Sequence, residues 1–150
     1  MANPGSQFHF LRDEWPMLFD PAVKAESLVY PDSRSSCFHA RRALELAVHW
    51  LYKHDSTLRL PYQDHLSALV HEPTFRRAVG PAIFAKIKVV KDLGNLAVHS
   101  HKLVRQFDAL NATKELFHVM FWLARTYARG AKPADGLSFN ADLLPKGSTF

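Results

Sequence analysis

The chain has 150 residues, of which 47% are hydrophobic and 22% are charged, a composition typical of one folded domain and incompatible with intrinsic disorder. Its 19 Lys and Arg residues exceed its 14 Asp and Glu residues, so the charge permits a polyanionic partner without requiring one. A single cysteine excludes a disulfide framework, and the lack of a leader or of an apolar run of about 18–20 residues predicts a cytoplasmic protein without a membrane span.

In chain order, the sequence predicts an N-terminal arm over residues 1–19, a helical domain over residues 20–130 and a linker or docking tail over residues 131–150. Asp20 and Pro21 are typical of an N-cap followed by a first-turn proline, which predicts a short helix from this point. The strongest helix is expected from about Ser33 to His54. Its continuous apolar face comprises Cys37, Ala40, Leu44, Ala47, Val48 and Leu51.

Prolines and glycines divide the rest of the domain. Three more helices are expected at about Gln63–His71, Pro81–Ser100 and Ala109–Ala128, with a short helical turn at Phe75–Val79. Gly130 is expected to end the last helix as a C-terminal glycine. Because no segment alternates as a strand does, we predict an all-α fold. It is an antiparallel helical bundle with short connecting helices and an extended C-terminal tail.

The most specific segment is KDLGNLAVH, residues 91–99. On a helix, Lys88, Asp92, Asn95 and His99 form one polar stripe. Asn95 can fix the tautomer of a histidine, and His99 can then serve as a general base. The alternative, which the residues alone favour, is that Asn95 and His99 tie the end of the helix to its neighbours by hydrogen bonds.

Gly94 lies inside the same predicted helix, where glycine costs about 1 kcal/mol relative to alanine. That cost is best explained by the close approach of another helix. The helix that carries Ala40, Leu44 and Ala47 is the candidate neighbour.

The excess positive charge lies between His71 and Arg105. Seven basic residues there are candidates for contacts with nucleic-acid phosphates: Arg76, Arg77, Lys86, Lys88, Lys91, Lys102 and Arg105. The alternative is a solvated face. Leu46, Trp50 and Trp122 are the candidates for a protein contact surface, and Trp122 is expected to be exposed on the last helix.

The sequence predicts no metal site and no nucleophile. The nine histidines lack the spacing of a zinc site, and Cys37 lies on the apolar face of its helix, where a buried core cysteine is expected. No glycine-rich phosphate loop or Walker motif is present, so any use of ATP has to lie outside these residues.

Four segments in order carry a family resemblance: the opening F-x-F-L (Phe8 to Leu11), CFHARRALELAVHWLY, KDLGNLAVH and ELFHVMFWLARTYA. Over about Phe8 to Pro145, the chain resembles the helical N-terminal region of type I restriction enzyme R (motor) subunits and related helicase-like proteins. The resemblance implies a restriction–modification (phage-defence) setting in which the parent enzyme cleaves and translocates DNA with ATP and magnesium. The implied partners are the remainder of the R subunit and the methyltransferase and specificity subunits. No cofactor is implied for these 150 residues.

That region is in turn similar to the helical HEPN domains. Many of them are ribonucleases that use an arginine, a polar residue and a later histidine, assembled across a dimer. Asn95 and His99 match this pattern, but Asp92, Leu93 and Gly94 stand where the arginine would be. The resemblance therefore implies a non-catalytic accessory domain that docks on other modules and can contact DNA phosphates, with Gly94, Asn95 and His99 as a structural motif.

Two alternatives stay open. The first is a metal-independent, toxin-like ribonuclease of the HEPN type, which would use His99 and Asn95 in a homodimer. The second is a free-standing interaction module that binds a protein through Leu46, Trp50 and Trp122.

Overall fold

The computed structural model describes residues 5–146, and it is all-helical over this range, as predicted. The helices are α1 (Pro16–Leu28), α2 (Ser33–His54), α3 (Leu66–His71), α4 (Pro73–His99) and α5 (Gln106–Tyr127). Short 3-10 turns precede α1 (His9–Leu11) and follow α5 (Ala141–Leu143). None of these helices has both the length and the apolar character that a membrane span needs.

Helix α2 has the predicted bounds and lies at the centre of the bundle, in contact with α1, α4 and α5. Its N-cap is Asp32, whose carboxylate accepts hydrogen bonds from the Ser35 hydroxyl at 2.7 Å and from the Ser35 backbone N–H at 3.2 Å. The hydroxyl bond contributes most to lowering the pKa of Asp32 below its usual value. The predicted apolar face, from Cys37 to Leu51, is buried in the core.

The predicted start of α1 is wrong. The helix begins at Pro16, not near Asp20, and Pro21 lies inside it instead of in its first turn. The reason is an apolar stripe with helical spacing that begins before the predicted cap. Its residues Leu11, Trp15, Leu18, Ala22 and Ala25 are all buried. Their burial outweighs the one backbone hydrogen bond that Pro21 cannot donate.

Helix α4 consists of two segments joined at Gly80, as the glycine and proline at 80 and 81 predict. Gly80 has φ +81° and ψ 165°, a backbone conformation that residues other than glycine rarely adopt. The segment before it is a helix from Pro73, capped by the carboxylate of Glu72, and is longer than the predicted turn. Helix α3 is shorter than predicted, because the His65 side chain accepts from the Ala68 N–H and caps it there.

Helix α5 starts at Gln106, three residues before the predicted start, because the backbone N–H of Arg105 donates to the Asp108 carboxylate at 3.0 Å. The prediction that Gly130 ends α5 as a C-terminal glycine is wrong, because α5 ends at Tyr127 and its C-cap is Ala128. Gly80 is the one glycine with positive φ within residues 5–146. Instead, the carboxylate of Glu14 accepts from the backbone N–H of Arg129 at 3.1 Å, so the N-terminal segment fixes the chain just after α5.

Both ends of the described chain pack on the bundle. Phe8 is fully buried, with its ring 5.8 Å from that of Phe117 on α5. From the tail, Phe139 lies 5.7 Å from the same ring, and Leu144 is buried. The first four residues of the predicted arm and the last four of the predicted tail lie outside the described residues. A linking role of the tail toward other modules stays a prediction.

Candidate functional site

The segment from residue 91 to residue 99 packs against α2, as Gly94 predicted. Gly94 is buried, and a Cβ added to it would lie 2.7 Å from Cδ and 2.8 Å from Cγ of Arg41 and would also collide with the Arg41 Cβ. Contacts below about 3 Å are not tolerated between carbon atoms. Glycine at this position therefore lets α2 and α4 approach each other closely.

Asn95 lies one position further along and accepts a hydrogen bond from α2. The Nε–H of Arg41 donates to Asn95 Oδ1 at 2.8 Å. The Arg41 guanidinium also lies 3.7 Å from the carboxylate of Glu45, and about a quarter of each of these two side chains is exposed. His99 is exposed one helical turn beyond Asn95. A cation therefore stands beside Asn95, but α2 supplies it and not the motif itself.

We expect Asn95→Ala to lower the free energy of unfolding by about 1 kcal/mol, because it removes the acceptor of a part-buried, charge-assisted hydrogen bond. Chemical denaturation of the variant measures this loss. His99→Ala is the matched control on the same helix and should change stability by less than about 0.5 kcal/mol, since His99 is exposed. An Asn95→Ala variant as stable as the wild type would contradict the structural role of Asn95.

The loop after α4 is held by a second arginine of α2. Arg34 donates to the carbonyl oxygens of Ala97 at 2.6 Å and Ser100 at 3.1 Å, and to that of Lys102. The last carbonyls of a helix have no partners inside the helix and carry its negative dipole end. Arg34 therefore caps the C-terminus of α4 and fixes the first residues of the loop that follows it.

Sequence reasoning missed both arginines, because each of them acts on residues more than fifty positions away. The available signal was their spacing. Arg34 and Arg41 are seven residues apart, which places both on one face of α2. The interpretation of α2 gave weight instead to its apolar face.

The seven basic candidates do not form one continuous surface. Arg76 and Arg77 are exposed at one end of α4, where the Arg76 guanidinium lies 4.3 Å from the centre of the Phe84 ring. Lys102 and Arg105 are exposed beyond its other end. The straight part of α4 between these pairs is roughly 28 Å long at 1.5 Å per residue.

Two basic candidates in the middle of α4, Lys86 and Lys88, are less free than the sequence suggested. Lys86 Nζ lies 3.2 Å from Glu115 Oε1 and 3.0 Å from His118 Nδ1 on α5. Burial of Glu115 acts to raise its pKa, but the hydrogen bonds from Lys86 and His118 outweigh burial and leave the pKa below its ordinary value. Lys88 is half-buried.

The structure contradicts the assignment of Lys91 to a phosphate-binding face. Its side chain is only 11% exposed, and its ammonium lies 3.0 Å from the carboxylate of Asp92. The cause is its position on α4, on the side that packs into the bundle. A buried, paired lysine is not available to a phosphate in solution.

The expected exposure of Trp122 is also wrong, because Trp122 is half-buried beside Tyr127, with ring centres 5.8 Å apart. Trp50 is half-buried as well, stacked on His54 at 4.3 Å and edge-on to Trp15 at 5.5 Å. Leu46 is likewise half-buried. These aromatic side chains mainly pack against one another, so they present less surface to a partner than the sequence suggested.

Three further observations concern possible chemistry. Cys37 is fully buried, as expected, and burial raises the pKa of its thiol to about 12, which keeps it protonated. An open cavity of about 620 Å³ lies between residues 9–15 and 129–133, away from Asn95 and His99. Within residues 5–146, no three His, Cys, Asp or Glu side chains converge as ligands for a metal ion.

Comparison with known proteins identifies a family for this chain. No curated protein and no solved structure matches the chain. A family described as "Domain of unknown function (DUF4145)" matches residues 23–142, which cover α2 to α5 and the C-terminal part of α1. This match does not concern type I restriction enzymes or HEPN domains, so both resemblances stay predictions. Because the match spans most of its length, the chain belongs to the DUF4145 family.

Proposed function

We propose that this chain is a non-catalytic helical accessory domain that docks on other protein modules, as the N-terminal region does in type I restriction R subunits. In that setting, the parent enzyme would use ATP and magnesium to cleave and translocate DNA, with methyltransferase and specificity subunits as further partners. The observation that carries the proposal is the contact between Arg41 and Asn95. The polar residue that a nuclease of the HEPN type would need is used here to join α2 to α4.

Packing around this contact supports the same proposal. Gly94 is buried against Arg41, and Arg34 uses its guanidinium to cap α4. The contribution of Gly94, Arg34 and Arg41 to the stability of the fold accounts for their contacts, and no catalytic role is needed to explain them. The proposal includes contacts with DNA phosphates at two exposed pairs, Arg76–Arg77 and Lys102–Arg105. These pairs are too far apart to act as one patch.

The test is a salt titration with labelled duplex DNA and single-stranded RNA, read by fluorescence anisotropy and then on a denaturing gel. We expect both nucleic acids to stay intact. Any affinity for DNA should fall steeply as salt increases and should weaken in an Arg76→Ala/Arg77→Ala variant. The matched control is Arg12→Ala, which removes an exposed arginine from another surface.

A second candidate function is a metal-independent ribonuclease that uses Asn95 and His99. One observation favours it: Arg41 brings a guanidinium to Asn95, in place of the arginine that the motif lacks. Such a cation could stabilise the charge that develops on a phosphate during cleavage. RNA cleavage in the presence of a chelator, abolished by His99→Ala, would establish this function and overturn the accessory-domain proposal.

A further inference from the structure

Three large apolar side chains are exposed around the loop between α4 and α5. Leu103 is 78% exposed, Phe107 71% and Val98 47%, whereas Val104 is buried. We call Val98, Leu103 and Phe107 the loop surface. A single exposed hydrophobic residue is ordinary on a protein, but three of them within ten positions are typical of a contact region.

The loop surface is held in place before any partner binds. Arg34 fixes the start of the loop through the Ser100 and Lys102 carbonyls. Val104 anchors its middle in the core, and the bond from Arg105 N–H to Asp108 starts α5. Because the loop is already ordered, the entropy cost of ordering it on binding is small, which favours the binding of a partner.

An apolar groove continues this surface along α5. Phe107 and Leu110 line one part of the groove, and Phe139 of the tail lines another part. The volume of the groove is about 200 Å³. Lys114 also lines the groove. A side chain of a partner that lies on Leu103 and Phe107 could therefore enter an existing concavity.

The charges around the loop surface are mainly positive. Lys102 and Arg105 are exposed on the loop, and Lys114 is exposed beside the groove. The nearest acidic residue along the chain, Asp108, uses its carboxylate to accept from the Arg105 backbone N–H. An apolar centre with a basic rim is complementary to an apolar segment flanked by Asp and Glu.

We propose that the loop surface docks an acidic, amphipathic segment of a protein partner. The inference rests on the proposed docking function and names its site and the chemistry of its partner. A protein fits better than a nucleic acid, because Phe107 is the one aromatic member of the loop surface on which a base could stack, whereas Val98 and Leu103 are aliphatic. A second copy of the chain fits less well, because a symmetric contact would bring two basic rims together.

The test is a selection from a library of random displayed peptides against the full chain. We expect the recovered peptides to combine apolar residues at helical spacing with an excess of Asp and Glu. Leu103→Ser/Phe107→Ser should weaken the binding of a synthetic recovered peptide at least about tenfold, as loss of a central apolar contact does. Lys102→Glu/Arg105→Glu should also weaken it and should reduce its dependence on salt.

The matched control is Leu60→Ser/Tyr62→Ser, which removes two exposed apolar side chains, 65% and 102% exposed, from a different loop. This control should leave the affinity unchanged, and circular dichroism of all variants verifies that they are folded. The inference is overturned if no peptide is recovered, if the peptides show no acidic excess, or if they bind the Leu103→Ser/Phe107→Ser variant equally well.

Two further outcomes identify other occupants and also overturn the inference. One is a homodimer that dissociates in the Leu103→Ser/Phe107→Ser variant, measured by light scattering. The other is nucleic-acid binding that this variant loses while no peptide binds. Cleavage of RNA by the wild type is a separate readout: it contradicts the proposed function, whereas failed peptide binding with intact RNA contradicts only this inference.

Discussion

Gly94→Ala is expected to destabilise the protein by about 2–3 kcal/mol, although alanine is the better helix former by about 1 kcal/mol. The added methyl group would collide with the Cβ of Arg41, which cannot move unless the backbone of α2 moves with it. The two helices then have to separate, and the bond from Arg41 to Asn95 lengthens with them. Denaturant unfolding monitored by circular dichroism measures the loss.

Gly136→Ala is the matched control, because a Cβ at Gly136 would meet no atom within 4 Å. Its stability should stay within about 0.5 kcal/mol of the wild type, as is usual for exposed positions. A Gly94→Ala variant that is more stable than the wild type would mean that helix propensity dominates at this position and that α2 and α4 are less close than described.

The second large effect is expected for Arg34→Ala, at about 2–3 kcal/mol. The variant removes charge-assisted hydrogen bonds and leaves the carbonyls of Ala97, Ser100 and Lys102 without this donor. The loop from residue 100 to residue 105 loses an anchor, so its amides should exchange with solvent faster. Unfolding and hydrogen exchange followed by mass spectrometry together measure the two effects.

Arg42→Ala provides the comparison for Arg34. Arg42 lies on the same helix, but its side chain is 53% exposed and forms a surface ion pair with Glu45 at 3.1 Å. Such pairs contribute about 0–1 kcal/mol. If the two variants lose equal stability and the loop amides exchange at the wild-type rate in Arg34→Ala, the capping role of Arg34 is wrong.

Local signals in the sequence predict much of this fold. The cap at Asp32 and the apolar period of α2 give that helix its correct bounds, and Gly80 predicts the break in α4. Local signals gave the wrong start for α1, because the sequence around Pro21 is typical of a first-turn proline although Pro21 lies inside the helix. The stripe that includes Trp15 and Leu18 overrides that local signal by burying its side chains.

The candidate site depends more on contacts between distant residues. Gly94 predicted the neighbouring helix correctly, because a glycine inside a helix indicates a close contact, but the contact is made by Arg41 and not by the face of Ala40, Leu44 and Ala47. The sequence does not show that Arg41 reaches Asn95, or that Lys86 is paired with Glu115 of α5. Those pairs form only when the helices are packed, so charge counting along one helix overestimates its free basic surface.

The pairing of Gln7 with Asn140 has a consequence for how the chain can be rearranged. The Gln7 amide donates to the Asn140 carbonyl at 2.9 Å, and its oxygen accepts from the Asn140 N–H at 2.7 Å. Residues 133 positions apart thus meet at one point on the surface. A short peptide could join the chain at Gln7 and Asn140, and the exposed loop around Tyr62 could be cut to create new ends. For the same reason, the bundle could be inserted into a surface loop of a host protein without pulling that loop apart.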